Sequence, residues 1–337
     1  MGTRIPILIT GAGSELAFGI IKACRASQLP LQLFGIDADS DALGLQWVDR
    51  AIVVPRADQE PETYLQTLRT IVHTHRIQAI LPTADVELEL LPKVRDEFLN
   101  DLGCWIMINR PAEMQRFHDK WQAYRWFVAH ALPTPVTARA DRDTELDDFL
   151  ANVSFPVVLK PRRGGGSRHL FVAKNRDELD RLRKMVPQPI AQPRVGTEQD
   201  EFTAGTFRTL HDEIHCIVLQ RQLKFGMTYK AKVVHDRELT DFCADVIRNT
   251  NLEGVNNIQF RRTADGPVIL EINPRFSGTT GIRAHFGFNE PEMVIRQYVL
   301  GLAPPTPKIV GGSVLRYMNE SFSPALRPAR VDMEPTI

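Results

Sequence analysis

The stretch that decides the fold is NNIQFRRTADGPVILEINPRFSGTT, residues 256–280. Residues 257–260 and 268–273 alternate apolar and polar side chains, which is the two-residue period of a strand with one wet face. The residues between them, 262–267, read Arg-Thr-Ala-Asp-Gly-Pro and have the composition of a hairpin turn. The stretch therefore predicts two antiparallel strands joined by a turn.

Oxygen-bearing side chains collect on one face of this predicted hairpin. Glu271 and Asn273 point the same way, and pairing of the two strands would bring Gln259 alongside. Such a set, without His or Cys, suits a hard cation such as Mg²⁺ whose shell is completed by substrate phosphates. Pro274 ends the strand, and Arg275 then suits a transferring phosphoryl group or a developing oxyanion. An ordinary hairpin with a polar outer face is the alternative.

The run EINPRFSG at 271–278, preceded by NIQF at 257–260, resembles the metal-binding end of the ATP-grasp superfamily. It is most similar to the branch that contains the synthetase domains of carbamoyl-phosphate synthetase. The resemblance implies an α/β and α+β chain, in which a Rossmann-like domain precedes a two-subdomain ATP-grasp fold. It also implies ATP as substrate and one or two Mg²⁺ ions, with Mn²⁺ as an alternative ion.

Composition limits the function classes. The 337 residues suffice for two or three domains, and 41 basic residues balance 41 acidic ones, so no broad basic face for nucleic acid is indicated. The four cysteines are scattered without a C-x-x-C pair, which predicts reduced thiols in a cytoplasmic protein and neither a zinc site nor a disulfide framework. No apolar run approaches membrane-spanning length.

The N-terminal third alternates strands and helices. Apolar strand runs at 5–10, 31–36 and 79–82 are separated by helical patterns, the second at 62–73, which predicts parallel βαβ units. Gly11-x-Gly13 and the later Asp37 keep an NAD(P) site open, although Leu16 stands where a third glycine belongs. The resemblance instead favours a preceding domain that binds no dinucleotide.

Two acids follow the third of these strands. Asp85 and Glu87 lie at the edge of the sheet where ligands of such sheets collect, so they are candidates for substrate selectivity. The alternative is a solvated helix start, where acids are favoured by the helix dipole.

A lysine and a glycine-rich loop predict a phosphate site. A strand delivers Lys160, and the residues that follow and can close around phosphate oxygens are Gly164, Gly165, Gly166 and Ser167. The order, lysine before loop, is not that of a Walker motif but resembles ATP-grasp. The resemblance also implies that Lys120, within a helix predicted from about 112 to 130, reaches the nucleotide; a solvated helix charge is the alternative.

Further nucleotide contacts follow from the resemblance alone. It implies a hinge at 190–196, where Gln192, the Pro193 carbonyl and the Val195 N–H meet the adenine. It implies that Glu201, with Asp200 as a substitute, holds the ribose hydroxyls. On the next strand pair it implies that Lys232 approaches the terminal phosphate, with Lys230 on the same strand face; a solvated strand lysine is the alternative.

The predicted organisation is a Rossmann-like domain at 1–111, a small ATP-grasp subdomain at 112–192 and a large one at 193–337. The function implied by the resemblance is an ADP-forming ligase that joins a small carboxylic acid and an amine through an acyl phosphate. Arg275 and Lys232 would be catalytic. An enzyme that releases its acyl phosphate, or makes carboxyphosphate, and a regulator without turnover stay as alternatives. No nucleic-acid or membrane partner is expected, and a homodimer is compatible with the sequence.

Overall fold

The computed structural model describes residues 4–321, whose strands form three sheets in chain order. The first is parallel and has the order β3-β2-β1-β4-β5. Its elements are β1 (Ile5–Ile9), α1 (Glu15–Ala26), β2 (Leu31–Asp37), β3 (Arg50–Val53), α2 (Pro61–His75), β4 (Ala79–Leu81), α3 (Leu91–Leu102) and β5 (Trp105–Ile106). The parallel βαβ arrangement predicted for this part is confirmed.

Local sequence explains how these elements begin. All five residues of β1 are buried, as expected for a central parallel strand covered on both faces. The Ser14 side chain accepts the N–H of Ala17 and caps α1. Pro61 occupies the first turn of α2, where its missing N–H costs nothing. Because β1 and β4 are parallel neighbours, the loops that follow them lie side by side at one edge of the sheet.

The single helix predicted from about 112 to 130 is wrong. Two helices, α4 (Pro111–His118) and α5 (Lys120–Ala129), meet at Asp119. Asp119 has extended backbone dihedrals, φ −101° and ψ 109°, and its carboxylate accepts the N–H groups of Trp121 and Gln122. An Asp that caps a helix in this way competes with continuation of the preceding one. The break places Lys120 in the first turn of α5.

The second sheet is antiparallel, with the order β6-β9-β7-β8. Its strands and covering helices are β6 (Ala138–Arg139), α6 (Asp143–Asn152), β7 (Val157–Pro161), β8 (Phe171–Ala173), α7 (Arg176–Leu182) and β9 (Pro189–Pro193). The glycine-rich loop predicted to hold phosphates connects β7 to β8.

The third sheet is also antiparallel and has the order β14-β13-β10-β11-β12-β15. Its elements are β10 (Glu201–Arg208), β11 (Ile214–Lys224), β12 (Met227–Val234), α8 (Arg237–Arg248), β13 (Gly254–Thr263), β14 (Gly266–Asn273), α9 (Thr280–His285), α10 (Glu290–Val294) and β15 (Ser313–Leu315). The hairpin predicted from residues 256–280 is β13–β14. The mixed fold predicted from the sequence, a parallel sheet followed by antiparallel ones, is confirmed.

The third sheet packs on both faces. One face, with Phe202 and Phe260, forms a core with α8. The other face, with Leu219 and Ala231, shares a core with Ile20 of α1 and other residues of the first domain. Helices α1 and α9 come so close that a Cβ on Gly281 would lie 2.9 Å from the Gly19 carbonyl oxygen. The shared core positions the loops after β1 and β4 beside the end of β14. No helix between residues 4 and 321 combines the length and apolar content needed to cross a membrane.

Candidate active site

A cleft of about 840 Å³ lies between the three sheets. Volumes of this size are typical of sites for small molecules and cofactors. The segments that contribute residues to its lining are 14–16, 83–85, 158–161, 164–172, 192–199, 221–223, 226–228, 270–275 and 277–279, together with Lys120 of α5 and single positions on the third sheet.

The predicted metal strand faces this cleft. Gln259 pairs with Glu271, and Asn257 pairs with Asn273, so the predicted ligands lie on adjacent positions of β13 and β14. Lys120 Nζ lies 3.0 Å from Glu271 Oε1 and donates to the carbonyl of Gly164 at 2.7 Å. Burial opposes ionisation of Glu271, but the positive charges of Lys120 and Lys160 outweigh it and lower the pKa of this carboxyl. Glu271 is therefore an anion in a cationic surrounding.

Lys160 projects from β7 into the same cleft. Burial, followed by the neighbouring positive charge of Lys120, lowers the pKa of Lys160 to about 8. A buried ammonium with too little negative charge nearby is suited to bind an anion, because the anion supplies the missing charge. The two lysines therefore form a cationic site whose charge suits phosphate oxygens.

The glycine-rich loop borders the lysines. Gly164, Gly165, Gly166 and Ser167 all line the cleft. Gly164 and Gly166 have φ values of +98° and +66°, which glycine adopts without a steric penalty. A Cβ on Gly226, in the turn between β11 and β12, would lie 2.2 Å from the Gly166 carbonyl oxygen, so this turn touches the loop. The loop is thus held at the mouth of the cleft.

The predicted hinge also lines the cleft, through Gln192, Pro193 and Val195. Gln192 donates its Nε2 to Thr137 Oγ1 at 2.7 Å, which fixes its amide. The Val195 carbonyl accepts from Arg261 Nη1 at 3.0 Å. Within residues 4–321 the N–H of Val195 donates to no protein acceptor. This N–H therefore fits the predicted contact to an adenine nitrogen.

The predicted ribose contact of Glu201 does not agree with the structure. Glu201 is buried, and Arg221 donates from Nε and Nη2 to its Oε1, while Arg261 donates from Nε and Nη2 to its Oε2. A carboxylate has about four acceptor positions, and these four hydrogen bonds occupy them, so none is left for ribose hydroxyls. Asp200, the proposed substitute, accepts from Thr197 Oγ1 at 2.6 Å and does not line the cleft.

Lys232 is not in the cleft either, so its predicted role at the terminal phosphate is wrong. It is exposed, and Ala231 beside it is buried in the core shared with the first domain. Side chains alternate across a strand, so Lys232 and Lys230 project from the face opposite to the cleft. The alternation was visible in the sequence, but which of its two faces meets the nucleotide was not.

Arg221 is a site residue that the sequence analysis missed. It lies on the cleft face of β11, and its Nη2 donates to Gln259 Oε1 at 2.9 Å. Gln259, predicted as a metal ligand, thus has its amide oxygen engaged by a guanidinium. The available signal was a lone arginine after the apolar run 217–219, but only the pairing of β10 with β11 places it beside Glu201.

Arg275 occupies the end of the cleft nearest the first domain. Its Nη1 donates to the Phe276 carbonyl at 3.0 Å, and its Nη2 lies 3.3 Å from Asp85 Oδ1. Asp85 follows β4, lines the cleft, and is also approached by Arg168 at 3.7 Å. This ion pair joins the first domain to the strand that carries Glu271 and Asn273.

Glu87 does not line the cleft as Asp85 does, and both predictions for it, a substrate contact or a solvated helix start, are wrong. It is 2% exposed, accepts from Thr10 Oγ1 at 2.5 Å, and also accepts from the Tyr64 hydroxyl. Burial raises the pKa of its carboxyl despite these hydrogen bonds. Glu87 therefore ties β1 and α2 to the loop after β4, and it is neither a solvated helix start nor a substrate contact.

Asp37, the acid of the NAD(P) site that the sequence left open, accepts the N–H groups of Gly13 at 2.8 Å and Asp39 at 2.9 Å. Its carboxylate thus stabilises its own loop and the glycine turn.

The donor set fits a hard divalent cation. Glu271 is an ionised carboxylate and Asn273 is an amide, and both face the cleft beside Lys120 and Lys160. Across residues 4–321 no group of three or more His, Cys, Asp or Glu side chains could hold a metal. A Mg²⁺ ion here would therefore depend on one carboxylate, one amide oxygen and the phosphates of a nucleotide, because this ion is usually bound by few carboxylates together with substrate phosphates.

Two known protein families match this chain, one in its N-terminal part and one in its C-terminal part. Residues 197–319 match the family described as ATP-grasp in the biosynthetic pathway with Ter operon. Residues 7–107 match the PylC-like N-terminal domain. The chain therefore carries an ATP-grasp domain behind a PylC-like N-terminal domain, which confirms the resemblance drawn from residues 257–278.

A curated relative, a carbamoyl-phosphate synthase of Methanobrevibacter smithii, is 22% identical over 148 residues, or 42% of this chain and 37% of the relative. The chain spans less than half the length of the curated relatives that it matches.

Solved structures share the fold over nearly the whole chain. N5-carboxyaminoimidazole ribonucleotide synthetase from Thermus thermophilus superimposes with a TM-score of 0.73 at 16% identity, over 96% of this chain and 91% of that one. The biotin carboxylase domain of Hydrogenobacter thermophilus 2-oxoglutarate carboxylase, in complex with MgADP, ADP and bicarbonate, gives 0.70 at 13% identity, over 93% and 74%.

Proposed function

We propose that this chain, an ATP-grasp domain behind a PylC-like N-terminal domain, is an ADP-forming ligase that joins a carboxylate to an amine through an acyl phosphate. One observation carries the proposal. The carboxylate of Glu271 has Lys120 at 3.0 Å and also feels the positive charges of Lys160 and Arg275, and Arg275 is paired with Asp85 of the loop after β4. A site for phosphates and a site for a second, non-nucleotide substrate can therefore adjoin the same carboxylate.

The residues divide between the two substrates. Val195 and Pro193 would contact the adenine, Lys120 and Lys160 the outer phosphates, and the loop after β7 would cover them. Glu271 and Asn273 would hold Mg²⁺, and the bound ion would neutralise part of the phosphate charge. These groups act mainly by positioning and charge complementarity, the principal contributions of the protein to phosphoryl transfer.

The proposed reaction has two steps. A carboxylate oxygen of the acid attacks the terminal phosphorus of ATP, the bond from that phosphorus to ADP breaks, and an acyl phosphate forms. An amine nitrogen then attacks the acyl carbon, the bond from this carbon to the phosphate oxygen breaks, and the nitrogen loses a proton to the surrounding water. Arg275, whose planar fork can hold two oxygens, stabilises the charge on the acyl phosphate.

Asp85 supports an amine as the second substrate. Of the acids that line the cleft, Glu201 is saturated by two arginines, Glu271 belongs to the metal set and Glu198 pairs with Arg194 at the hinge. Glu15 pairs with Arg316. Asp85 is also paired, with Arg275 at 3.3 Å and Arg168 at 3.7 Å, but it alone of these acids lies beside Arg275, and its 39% exposed side chain can still accept N–H hydrogen bonds from an incoming amine.

A second candidate is the formation of carboxyphosphate from bicarbonate. It is favoured by the fold likeness to a biotin carboxylase domain whose complex contains bicarbonate. A regulator without turnover is disfavoured, because the residues that turnover would require, Lys160, Glu271, Asn273 and Arg275, are all present and line one cleft. The homodimer suggested by the sequence stays a prediction, which the mass in solution would test.

The test is a screen of carboxylate and amine pairs, with bicarbonate included among the acids, for release of ADP. The proposal expects ADP and phosphate only when an acid and an amine are both present. ADP release with bicarbonate and no other acid would favour the second candidate. Stoichiometric AMP would contradict both.

A further inference from the structure

Arg221 connects two residues that were expected to act separately. Its Nη2 lies 2.9 Å from Glu201 Oε1 and 2.9 Å from Gln259 Oε1, and its side chain is only 8% exposed. The amide oxygen of Gln259 is therefore already paired with a cation. That oxygen was the natural ligand for a second metal ion, because Glu271 is directly opposite it on β14.

The charges around Arg221 do not cancel. Glu201 carries one negative charge and is shared by two guanidiniums, those of Arg221 and Arg261, the latter at 2.8 Å. The three side chains together keep one positive charge in a buried position beside the cleft. Burial lowers the pKa of Arg221, which reflects the cost of this charge. An arginine nevertheless stays protonated, and although the negative charge of Glu271 also acts on Arg221, Glu271 is itself paired with Lys120, so the surplus charge can attract a further anion.

A surplus positive charge acts in opposite ways on a nucleotide phosphate and on a divalent cation. It attracts the phosphate oxygens of a nucleotide, and Arg221 lines the cleft on the same face as Lys160 and Glu271. It repels a divalent cation at Gln259, because like charges at such short distances in a buried site interact strongly. Glu271 is also paired with a cation, Lys120 at 3.0 Å, but unlike Gln259 it carries a negative charge of its own that attracts a metal ion, and within the described part of the chain no arginine binds the side-chain oxygens of Glu271 or Asn273.

We propose that the guanidinium of Arg221 takes the place of a second divalent ion, so that the site holds one metal ion, at Glu271 and Asn273. Arg221 contacts the outer phosphates directly, and Gln259 orients it. Arg221 thus takes the role that was predicted for Lys232, that of a cation on the third sheet beside the terminal phosphate. The inference rests on the nucleotide site of the proposed function and not on the identity of the acid or the amine.

The experiment counts bound Mn²⁺ by electron paramagnetic resonance on the full chain, with the non-hydrolysable nucleotide AMP-PNP at saturation. We expect one Mn²⁺ per chain. Two Mn²⁺ ions per chain would overturn the inference while leaving the nucleotide site intact. Failure to bind AMP-PNP at all would instead overturn the proposed function, and the inference with it.

The first variant is Arg221→Met, which removes the charge and keeps much of the length. We expect its affinity for AMP-PNP to fall about tenfold, the effect of losing one charge-assisted contact. Arg262→Met is the matched control, because Arg262 is on β13, pairs with Asp236 and does not line the cleft. Unchanged affinity in folded Arg221→Met would overturn the inference.

The second variant, Gln259→Met, leaves Glu201 paired with both arginines and so avoids the risk of misfolding. If Gln259 orients Arg221 and does not bind metal, the affinity for Mn²⁺ should stay within about twofold of wild type. Loss of about tenfold or more, the effect expected when a metal ligand or its support is removed, would identify Gln259 as a ligand and overturn the inference.

Discussion

The ammonium of Lys120 lies 3.0 Å from the carboxylate of Glu271 and donates to the carbonyl of Gly164 at 2.7 Å. A single side chain from α5 thus joins the glycine-rich loop to the strand that carries the candidate metal ligands. A nucleotide with its metal would compete for both partners: the metal for Glu271, and the phosphates for Lys120. We therefore expect the affinity for metal and nucleotide to depend on the negative charge of Glu271.

Glu271→Gln keeps the shape of the side chain and removes its charge. We expect a folded protein whose turnover falls about a hundredfold, the scale of losing one preorganised electrostatic group. Raising Mg²⁺ should recover part of the loss if the charge acts through the metal. Glu238→Gln, an exposed acid that pairs with Arg262, is the control. Wild-type turnover of Glu271→Gln at limiting Mg²⁺ would exclude β14 as the metal site.

Lys160 should make nucleotide binding depend on pH. Its pKa of about 8 means that the ammonium predominates below pH 8 and the neutral amine above it. Only the ammonium attracts phosphates, so the dissociation constant of ADP should rise as the pH increases through 8. The phosphates themselves are fully ionised there, because their last pKa is about 6. Calorimetric titration with ADP across this range measures the effect.

Lys160→Met is the control for this pH dependence. It should bind ADP more weakly at neutral pH, and its dissociation constant should no longer change around pH 8. If the wild-type dissociation constant is flat across pH 8, Lys160 does not contact the phosphates.

Asp85→Asn tests the substrate end of the cleft. Loss of the carboxylate next to Arg275 should raise KM for the amine about tenfold, because one charge-assisted hydrogen bond to the amine is lost. KM for ATP should not change. Glu89→Gln is a suitable control, since Glu89 is exposed, pairs with Arg163 and does not line the cleft. An unchanged KM for every amine would leave Asp85 only as the ion-pair partner of Arg275.

Tyr64→Phe tests the structural role assigned to Glu87. The variant removes the hydroxyl that donates to the buried carboxyl and leaves the rest of the ring in place. We expect the free energy of unfolding to fall by about 1–3 kcal/mol, the cost of a buried polar group that loses a partner. Chemical denaturation measures it. A changed KM for any substrate, with unchanged stability, would return Glu87 to the substrate site.

Much of the fold could be predicted because its signals are local. Alternation in residues 257–260 and 268–273 predicted the hairpin, and the turn residues between them predicted its position. The same reasoning failed at Asp119, where a single capping carboxylate ends one helix and begins the next. The apolar and polar pattern on either side continues across the break, so the pattern alone does not reveal it.

The site could be predicted where residues follow one another along a strand and not where partners come from different strands. Glu271, Asn273 and Arg275 belong to one segment and line one cleft. Glu201 and Gln259 are also in the cleft, but Arg221 and Arg261 pair with them from positions set only by sheet register. Lys232 failed for the same reason, because register and burial together decide which strand face meets the cleft.

The central claim is that this chain forms an acyl phosphate at Arg275, and hydroxylamine tests it most directly. With ATP, the acid identified by the screen and hydroxylamine in place of the amine, wild-type protein should yield a hydroxamate and ADP in equal amounts. Arg275→Lys should bind ATP normally and lose kcat more than it raises either KM, the pattern of a contact made in the transition state. ADP without hydroxamate, or hydroxamate at the wild-type rate in Arg275→Lys, would contradict the account.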